Sequence, residues 1–397
     1  MKLSERAKNI SPSPTLAIDA TAKKMIAAGE KVINFGVGEP DFDTPAHIKE
    51  AAVAALHAGM TRYTPVGGTA QLKEAIVQKL ARDNGLTYRP EQIVVSVGAK
   101  HSLYNAMQVL VQPGDEVVLP APYWVSYLEQ IKLAGGVPVI VQTRAENGFK
   151  LTPEELESVI NRRTRLLIIN SPGNPTGAVY TREELAALGE VVAREGIAVI
   201  SDEIYEKLLY DGNVHVSIAA LSPQLKEQTV VINGMSKAYA MTGWRIGYAA
   251  APEPVARAMT SLQSHATSNP TSFAQAASVA ALNGTQEPLR QMVAEFNRRR
   301  DYMLERITAI PGLTCNRPGG AFYLFPVMQS YIGRSFRGRV IEGAGDLAAV
   351  LLETAKVAVV PGIAFGDDRC FRLSYATSME NIREGMDRIE QVMAEIK

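Results

Sequence analysis

The sequence predicts an α/β fold: a large domain with a mainly parallel seven-stranded sheet covered by helices, plus a smaller α+β domain. Three observations predict it. Seven short Val/Ile/Leu-rich runs alternate with longer amphipathic stretches as far as about Leu282. The runs are apolar along their whole length rather than at every second position, as in strands buried on both faces of a parallel sheet. After Leu282 the alternation stops, and a long charged stretch leads into short, glycine-punctuated apolar runs, the texture of a separate α+β unit.

The elements follow in order. Ile93–Val97 is a strand and is followed by a helical pattern from about Ala99. The turn QPGDE precedes the strand Val117–Pro120, a helix pattern covers Trp124–Leu133, and GVPVIVQ is the next strand. Leu166–Asn170, Ile197–Asp202, Val230–Ile232 and Ile246–Ala250 complete the seven. Two helix starts are strongly marked. Thr152-Pro153-Glu154-Glu155 and Thr181 to Glu184 both carry the spacing in which a threonine and a glutamate cap each other's backbone. From about Glu287 to Ile310 the pattern predicts one bridging helix, with Arg298, Arg299 and Arg300 as a solvated face. The loop Gly333–Gly345, with Arg334, Arg337 and Arg339, is expected at the surface or overhanging a site. An N-terminal segment is expected at 1–45, packing with the small domain and over the site. The end of the alternation near Leu282 divides the rest into a large domain at 46–285 and a small domain at 286–397.

Composition narrows the classes. The chain has 397 residues, of which 46% are hydrophobic and 21% charged, with formal net charge +0. That length favours two domains, and the charge balance argues against a nucleic-acid partner. No apolar run approaches a membrane span, and the N-terminus lacks the pattern of a signal peptide. The two cysteines, Cys315 and Cys370, have no CxxC spacing and read as reduced thiols of a cytoplasmic protein. The five histidines are scattered, so no metal site is expected.

In open parallel sheets, ligands bind beyond the carboxyl ends of the strands. The residues that follow the predicted strands are therefore candidates: Gly98, Ala99 and Lys100; Asn174 in SPGNPTG; Asp202 and Tyr205; Ser236 and Lys237, with Arg245 shortly after. Lys237 is the most informative. A lysine ending a core strand is either placed for chemistry, where a desolvated amine can attack a carbonyl and form a Schiff base, or it snorkels to solvent. Gly98-Ala99-Lys100 opens a helix, where backbone amides favour an anion; an ordinary strand-to-helix turn is the alternative. Asp202 either caps a helix through EIYEKLLY or pairs with a buried cation.

Taken together, SPGNPTG, SDEIY and SKAYAMTGWRIGY resemble the class I aminotransferases of the fold type I pyridoxal-phosphate enzymes. The resemblance runs from GVGEPDFDTP to FRLSYATS and is strongest to the bacterial aspartate aminotransferase branch. It implies that Lys237 holds pyridoxal 5′-phosphate and then moves the proton at the substrate Cα. It implies that Asp202 faces the ring nitrogen, Tyr205 and Asn174 the phenolic oxygen, and Trp124 the ring face. The phosphate would rest on Gly98, Ala99, Lys100, Ser236 and Arg245. Tyr63 would reach the phosphate of a neighbouring subunit, which implies a homodimer with shared sites. Arg372 would grip the substrate α-carboxylate, with Gly38 and Asn174 beside it and the small domain closing over it. One departure stands out: many relatives carry a hydroxyl residue three places before the lysine, where this chain has Gly234.

The implied activity is transfer of the amino group of L-aspartate to 2-oxoglutarate by a ping-pong mechanism. A second cation must then meet the side-chain carboxylate; Lys100, aided by Thr15, is the candidate, although Lys100 could serve the phosphate alone. The same scaffold could act on aromatic, alanine-like or prephenate-derived amino acids, or as a carbon–sulfur β-lyase. A non-catalytic binding module is disfavoured by the complete set Lys237, Asp202, Asn174, Tyr205, Arg245 and Arg372.

Overall fold

The seven predicted strands all form and join one sheet. A computed structural model of the chain describes residues 1–12 and 14–397. The strands are β1 Ile93–Ser96, β2 Glu116–Ala121, β3 Val137–Gln142, β4 Thr164–Asn170, β5 Ala198–Asp202, β6 Thr229–Gly234 and β7 Gly247–Ala250. Their order is β1-β7-β6-β5-β4-β2-β3. Neighbours from β6 to β3 are parallel, whereas β7 runs antiparallel to both β1 and β6. The connection explains the exception. A parallel return needs a crossover, usually a helix, and segment 235–246 holds only turns and the 3₁₀ turn Thr242–Trp244.

Burial follows the apolar runs. Leu166, Leu167, Ile168, Ile169, Val199, Ile200, Val231 and Ile232 are all buried. The edge strand β3 is half-open, with Val137 and Ile140 exposed. Helices cover the sheet, among them Ala99–Leu110 after β1 and Arg182–Glu195 after β4. Both expected capping boxes are present, at Thr152 with Glu155 and at Thr181 with Glu184. Parallel pairing sets the ends of β4, β5 and β6 level, with Asn170 opposite Asp202 and Asp202 opposite Ile232. The polar residues beyond those ends therefore meet along one sheet edge.

The helix Glu287–Ala309 leads to a three-stranded antiparallel sheet of β8 Tyr323–Leu324, β9 Val360–Pro361 and β10 Phe371–Ser374, ordered β9-β10-β8. The N-terminal segment is stitched to this part of the chain, since Ile33–Asn34 pairs in parallel with Val357–Ala358. The N-terminal helix Pro14–Ala27 is mostly exposed; only Ala22 is buried.

Two expectations are corrected. The arginines of the long helix are not a solvated face. Only Arg298 is largely exposed; Arg300 is fully buried and donates to Asp211, Asp301 and the Pro318 carbonyl, and Arg299 bonds Asp41 and Glu295. Carboxylates distant in sequence make the burial tolerable, and sequence alone does not reveal them. EIYEKLLY is not a helix either. It turns at 204–207, and Asp202 instead accepts from the Ile204 amide. The loop 333–345 carries a short hairpin of Ser335–Phe336 with Arg339–Val340; Arg337 pairs with Glu395, Arg339 with Asp346 and Glu353, and Arg334 lies over the Tyr331 ring. None of its residues lines the cavity described next.

Candidate functional site

A cavity of about 540 Å³ opens at the carboxyl edge of the large sheet. Gly38, Ala99, Lys100, Trp124, Asn174, Asp202, Tyr205, Ser236, Lys237, Arg245, Arg372 and Thr15 line it. The structure thus brings together residues that sequence spreads over more than three hundred positions. Gly98 lies just behind the wall as the residue preceding helix Ala99–Leu110. Tyr63 is the outlier: it is 91% exposed and lines no part of this cavity.

Lys237 follows β6 and donates to the Gly38 carbonyl. Its ammonium faces the cavity but is walled in by protein. Desolvation draws its pKa down to about 8, with Arg372 and Arg245 adding to the effect and Glu39 and Asp202 opposing it. Asp202, at the end of β5, is 3% exposed. It accepts from the Tyr127 hydroxyl at 2.6 Å and from the Ile204 amide at 3.2 Å. Burial nevertheless raises its pKa to about 6 against those two bonds. A base and an acid with pKa values pushed toward neutrality share one cavity, as proton-transfer sites require.

The helix Ala99–Leu110 presents its first amides to the same space. These have no acceptor within a helix by geometry. Glycines allow the close approach: Gly98 has φ 83°, and a Cβ there would collide with the Arg245 guanidinium. A Cβ on Gly247 would collide with the backbone of Gly98 and Ala99. Arg245 is held by the Thr242 carbonyl at 2.8 Å. Lys100 lies 4.9 Å from the centre of the Trp124 ring, and burial together with Arg245 lowers its pKa. Arginine, lysine and helix amides converge here without a carboxylate partner to either cation among the described residues, which makes an anion-binding corner.

Arg372, on β10, is 2% exposed. One terminal nitrogen donates to Asn174 Oδ1 at 3.0 Å and the other to the Gly36 carbonyl at 2.8 Å. Its plane lies over Tyr323 at 4.4 Å. Its Nε has no partner, and no carboxylate pairs with it among the described residues. A buried guanidinium held only by neutral groups is costly and leaves N–H bonds for an anion.

Sequence reasoning missed three contributors. Tyr127 supports Asp202; it lies on the helix after Trp124, and its ring meets the Trp124 ring edge-on at 5.3 Å. Tyr323 shares a 2.9 Å hydroxyl contact with Tyr205. Asn170 bonds both the Asp202 carbonyl and the Asn174 amide, locking two strand ends together. Asn170 ends a predicted strand next to Asn174 and was findable on that ground. Tyr323 lies in GGAFYLF, where nothing local distinguishes it from a core tyrosine.

Residues 30–389 match the family described as aminotransferase class I and II. The chain belongs to this family. It is 54% identical to an aspartate aminotransferase of Geobacillus stearothermophilus, over 99% of each chain. It is 47% identical to an aspartate/prephenate aminotransferase of Nitrosomonas europaea, over 99% of this chain and 100% of the relative. The solved aspartate aminotransferase of Rhizobium meliloti superposes with a TM-score of 0.97 at 46% identity, covering all of both chains. The expected α/β fold with its mainly parallel sheet is therefore that of this aminotransferase family. No helix among the described residues is long and apolar enough to cross a membrane.

The raised pKa of Asp202 has a stability consequence in this aminotransferase. The folded carboxyl binds its proton more tightly than the unfolded one. Its contribution to stability is present below about pH 4 and is lost as pH rises through about 6. At neutral pH the buried carboxylate is a cost. Asp202→Asn is expected to stabilise the cofactor-free protein at pH 7.5 by up to about 3 kcal/mol, with the gain shrinking toward pH 4. Urea unfolding at the two pH values checks this; a variant less stable than the parent at pH 7.5 would contradict it.

Proposed function

We propose that this aminotransferase moves the amino group of L-aspartate to 2-oxoglutarate, yielding oxaloacetate and L-glutamate, with pyridoxal 5′-phosphate as its cofactor. The observation that carries the reading is Arg372: a buried guanidinium with no anion of its own, opening into the cavity that holds Lys237 and Asp202. Its planar fork matches a carboxylate bidentately, and every amino acid and 2-oxo acid in this reaction carries one beside the reacting carbon. The aspartate preference rests on the names of full-length relatives at about half identity.

The residues fit the cofactor. The amides of Ala99 and Lys100, the Ser236 hydroxyl and Arg245 would hold its phosphate. Asp202 would pair with the ring nitrogen, Tyr205 and Asn174 with the phenolic oxygen, and Trp124 would cover the ring face. Bound there, the cofactor supplies an electron sink for the pair left when the substrate Cα–H bond breaks. Lys237 would move the proton off Cα of the amino acid to the cofactor carbon, and in the second half-reaction would deliver a proton to Cα of the oxo acid, a role suited to an amine with a pKa of about 8. Asp202, oriented by the Tyr127 hydroxyl, would be kept ionised by a protonated ring nitrogen opposite it. Arg372 and the Gly38 backbone orient the carboxylate so that the Cα–H bond faces the amine. Lys100, helped by Thr15, meets the side-chain carboxylate of aspartate.

The homodimer belongs to the same reading. Tyr63 is large, aromatic and exposed, and lies outside its own cavity, as expected of a residue that completes a partner's phosphate site. The division into 1–45, 46–285 and 286–397 is proposed with it, the first segment moving with the third. One second reading has a specific basis, since the Nitrosomonas europaea relative is named for prephenate as well as aspartate: prephenate could serve as an additional amino acceptor. Steady-state rates across amino donors with 2-oxoglutarate, and across oxo-acid acceptors with aspartate, test both. Aspartate should lead the donors. Negligible turnover with aspartate would exclude the main reading.

A further inference from the structure

Arg372 is aimed by more than its direct partners. The Gly36 carbonyl that accepts from its Nη2 belongs to a residue with no side chain and the widest backbone freedom. The direction of that carbonyl depends on how the preceding peptide, which carries the Gly36 amide, is held. The Gly36 amide donates to Asn34 Oδ1 at 2.9 Å, and Asn34 Nδ2 donates to Asp19 Oδ1 at 2.8 Å. Asp19 lies on the N-terminal helix Pro14–Ala27 and is paired through its other oxygen with Lys23 at 2.7 Å. An unbroken chain of polar contacts thus runs Lys23, Asp19, Asn34, Gly36, Arg372. The packing at its centre is tight: a Cβ on Gly36 would lie 3.1 Å from Asn34 Oδ1. Thr15, one turn before Asp19, faces the same cavity.

We propose that Asn34, held by Asp19, is a positioning residue that aims Arg372 at the substrate carboxylate through the Gly36 carbonyl, so that docking of the N-terminal helix and carboxylate recognition are coupled. This rests on the reading of Arg372 given above. The Asn34 side-chain oxygen accepts from the Gly36 amide while its nitrogen donates to Asp19, so one side chain joins the two. Loss of either end leaves the Gly36 amide without its side-chain acceptor, so that rotation about the Gly36 φ and ψ, which separates that amide from the carbonyl, is less restrained. Main-chain bonds hold the backbone as far as the 35–36 peptide, since Ile33–Asn34 pairs with Val357–Ala358, the Phe35 amide donates to the Ala358 carbonyl and the Phe35 carbonyl accepts from the Ser374 amide, but they do not reach the 36–37 peptide.

The test uses the holoenzyme, with maleate as a non-reacting dicarboxylate probe. Asn34→Ala should weaken maleate binding by about three- to tenfold and raise KM for aspartate and 2-oxoglutarate alike, the loss expected for one hydrogen-bonded tether. The kcat should change by less than about twofold, since proton transfer by Lys237 is untouched. Asp19→Ala, on a mostly exposed helix, should act in the same direction. The double variant should be no weaker than Asn34→Ala alone, because both remove one chain. Unchanged maleate affinity in Asp19→Ala, or additive losses in the double variant, would overturn the proposal. So would a fall in kcat and thermal stability with maleate affinity intact. If the unmodified enzyme neither transaminates aspartate nor binds maleate, it is the reading of the site that fails instead.

Discussion

Lys237→Ala is expected to lower transamination by about 10²- to 10⁴-fold while leaving the protein folded. The size of the loss follows from how much chemistry rests on one amine. Desolvation brings its pKa to about 8, so about a quarter of the molecules carry a neutral amine at pH 7.5, against about one in a thousand for an unperturbed lysine. The other candidate bases among the described residues of the cavity are engaged elsewhere: Lys100 lies against Trp124 beside the anion corner, Lys23 is paired with Asp19, and Tyr205 is pushed well above its usual range by burial and by Tyr323. Folding should survive because the wild-type lysine is a cost. Its folded pKa lies below the unfolded one, so the unfolded chain binds more protons between about pH 8 and 10.5, and stability rises with pH across that window. Alanine removes this penalty at neutral pH. Rates of the aspartate half-reaction, together with urea unfolding at pH 7.5, check both parts. A variant retaining more than about one per cent of the rate would contradict the role assigned to Lys237.

Replacing Arg372 should produce the second-largest loss, and should separate charge from shape. Arg372→Ala removes the buried fork and strands Asn174 Oδ1 and the Gly36 carbonyl. About 10²- to 10³-fold in kcat/KM is expected, for amino acid and oxo acid equally. Arg372→Lys keeps a positive charge but presents one nitrogen where two are needed, so about 10- to 100-fold is expected. The losses should fall mainly on KM. Equal KM values in parent and lysine variant would show that the fork is not the carboxylate's anchor. Low exposure of Arg372 makes both variants sensitive, because water cannot replace the missing donor.

What was legible in the sequence follows from which interactions are local. Strands announced themselves because a buried parallel strand must be apolar throughout, as Leu166–Ile169 and Val230–Ile232 are. The cavity residues were then found by geometry, since residues beyond level strand ends must converge. The antiparallel course of Gly247–Ala250 was not legible, because an apolar run looks the same in either direction; only the short connection before it carried a hint. The misread arginines show the complementary limit. Arg300 stands two places from Arg298 in one run of three arginines, and a partner that makes its burial tolerable, Asp211, lies far away along the chain. EIYEKLLY has the composition of a helix, yet Glu203 is tied to Ser201 and His215, and Glu206 to Lys79 and Asn84. Those long-range partners hold it as a turn and set Asp202 and Tyr205 at the cavity wall. Tyr127 and Asn34 went unnoticed for the same reason, since each acts on a residue that sequence does not place beside it.

The most direct test is covalent. The holoenzyme is treated with borohydride, digested and mapped by mass spectrometry. The account predicts that the mass of reduced pyridoxal phosphate appears on the peptide bearing Lys237, in near-stoichiometric amount, and that it is lost when aspartate is added before reduction. Label on another lysine such as Lys100, or no label at all in a protein that turns over aspartate, would contradict it.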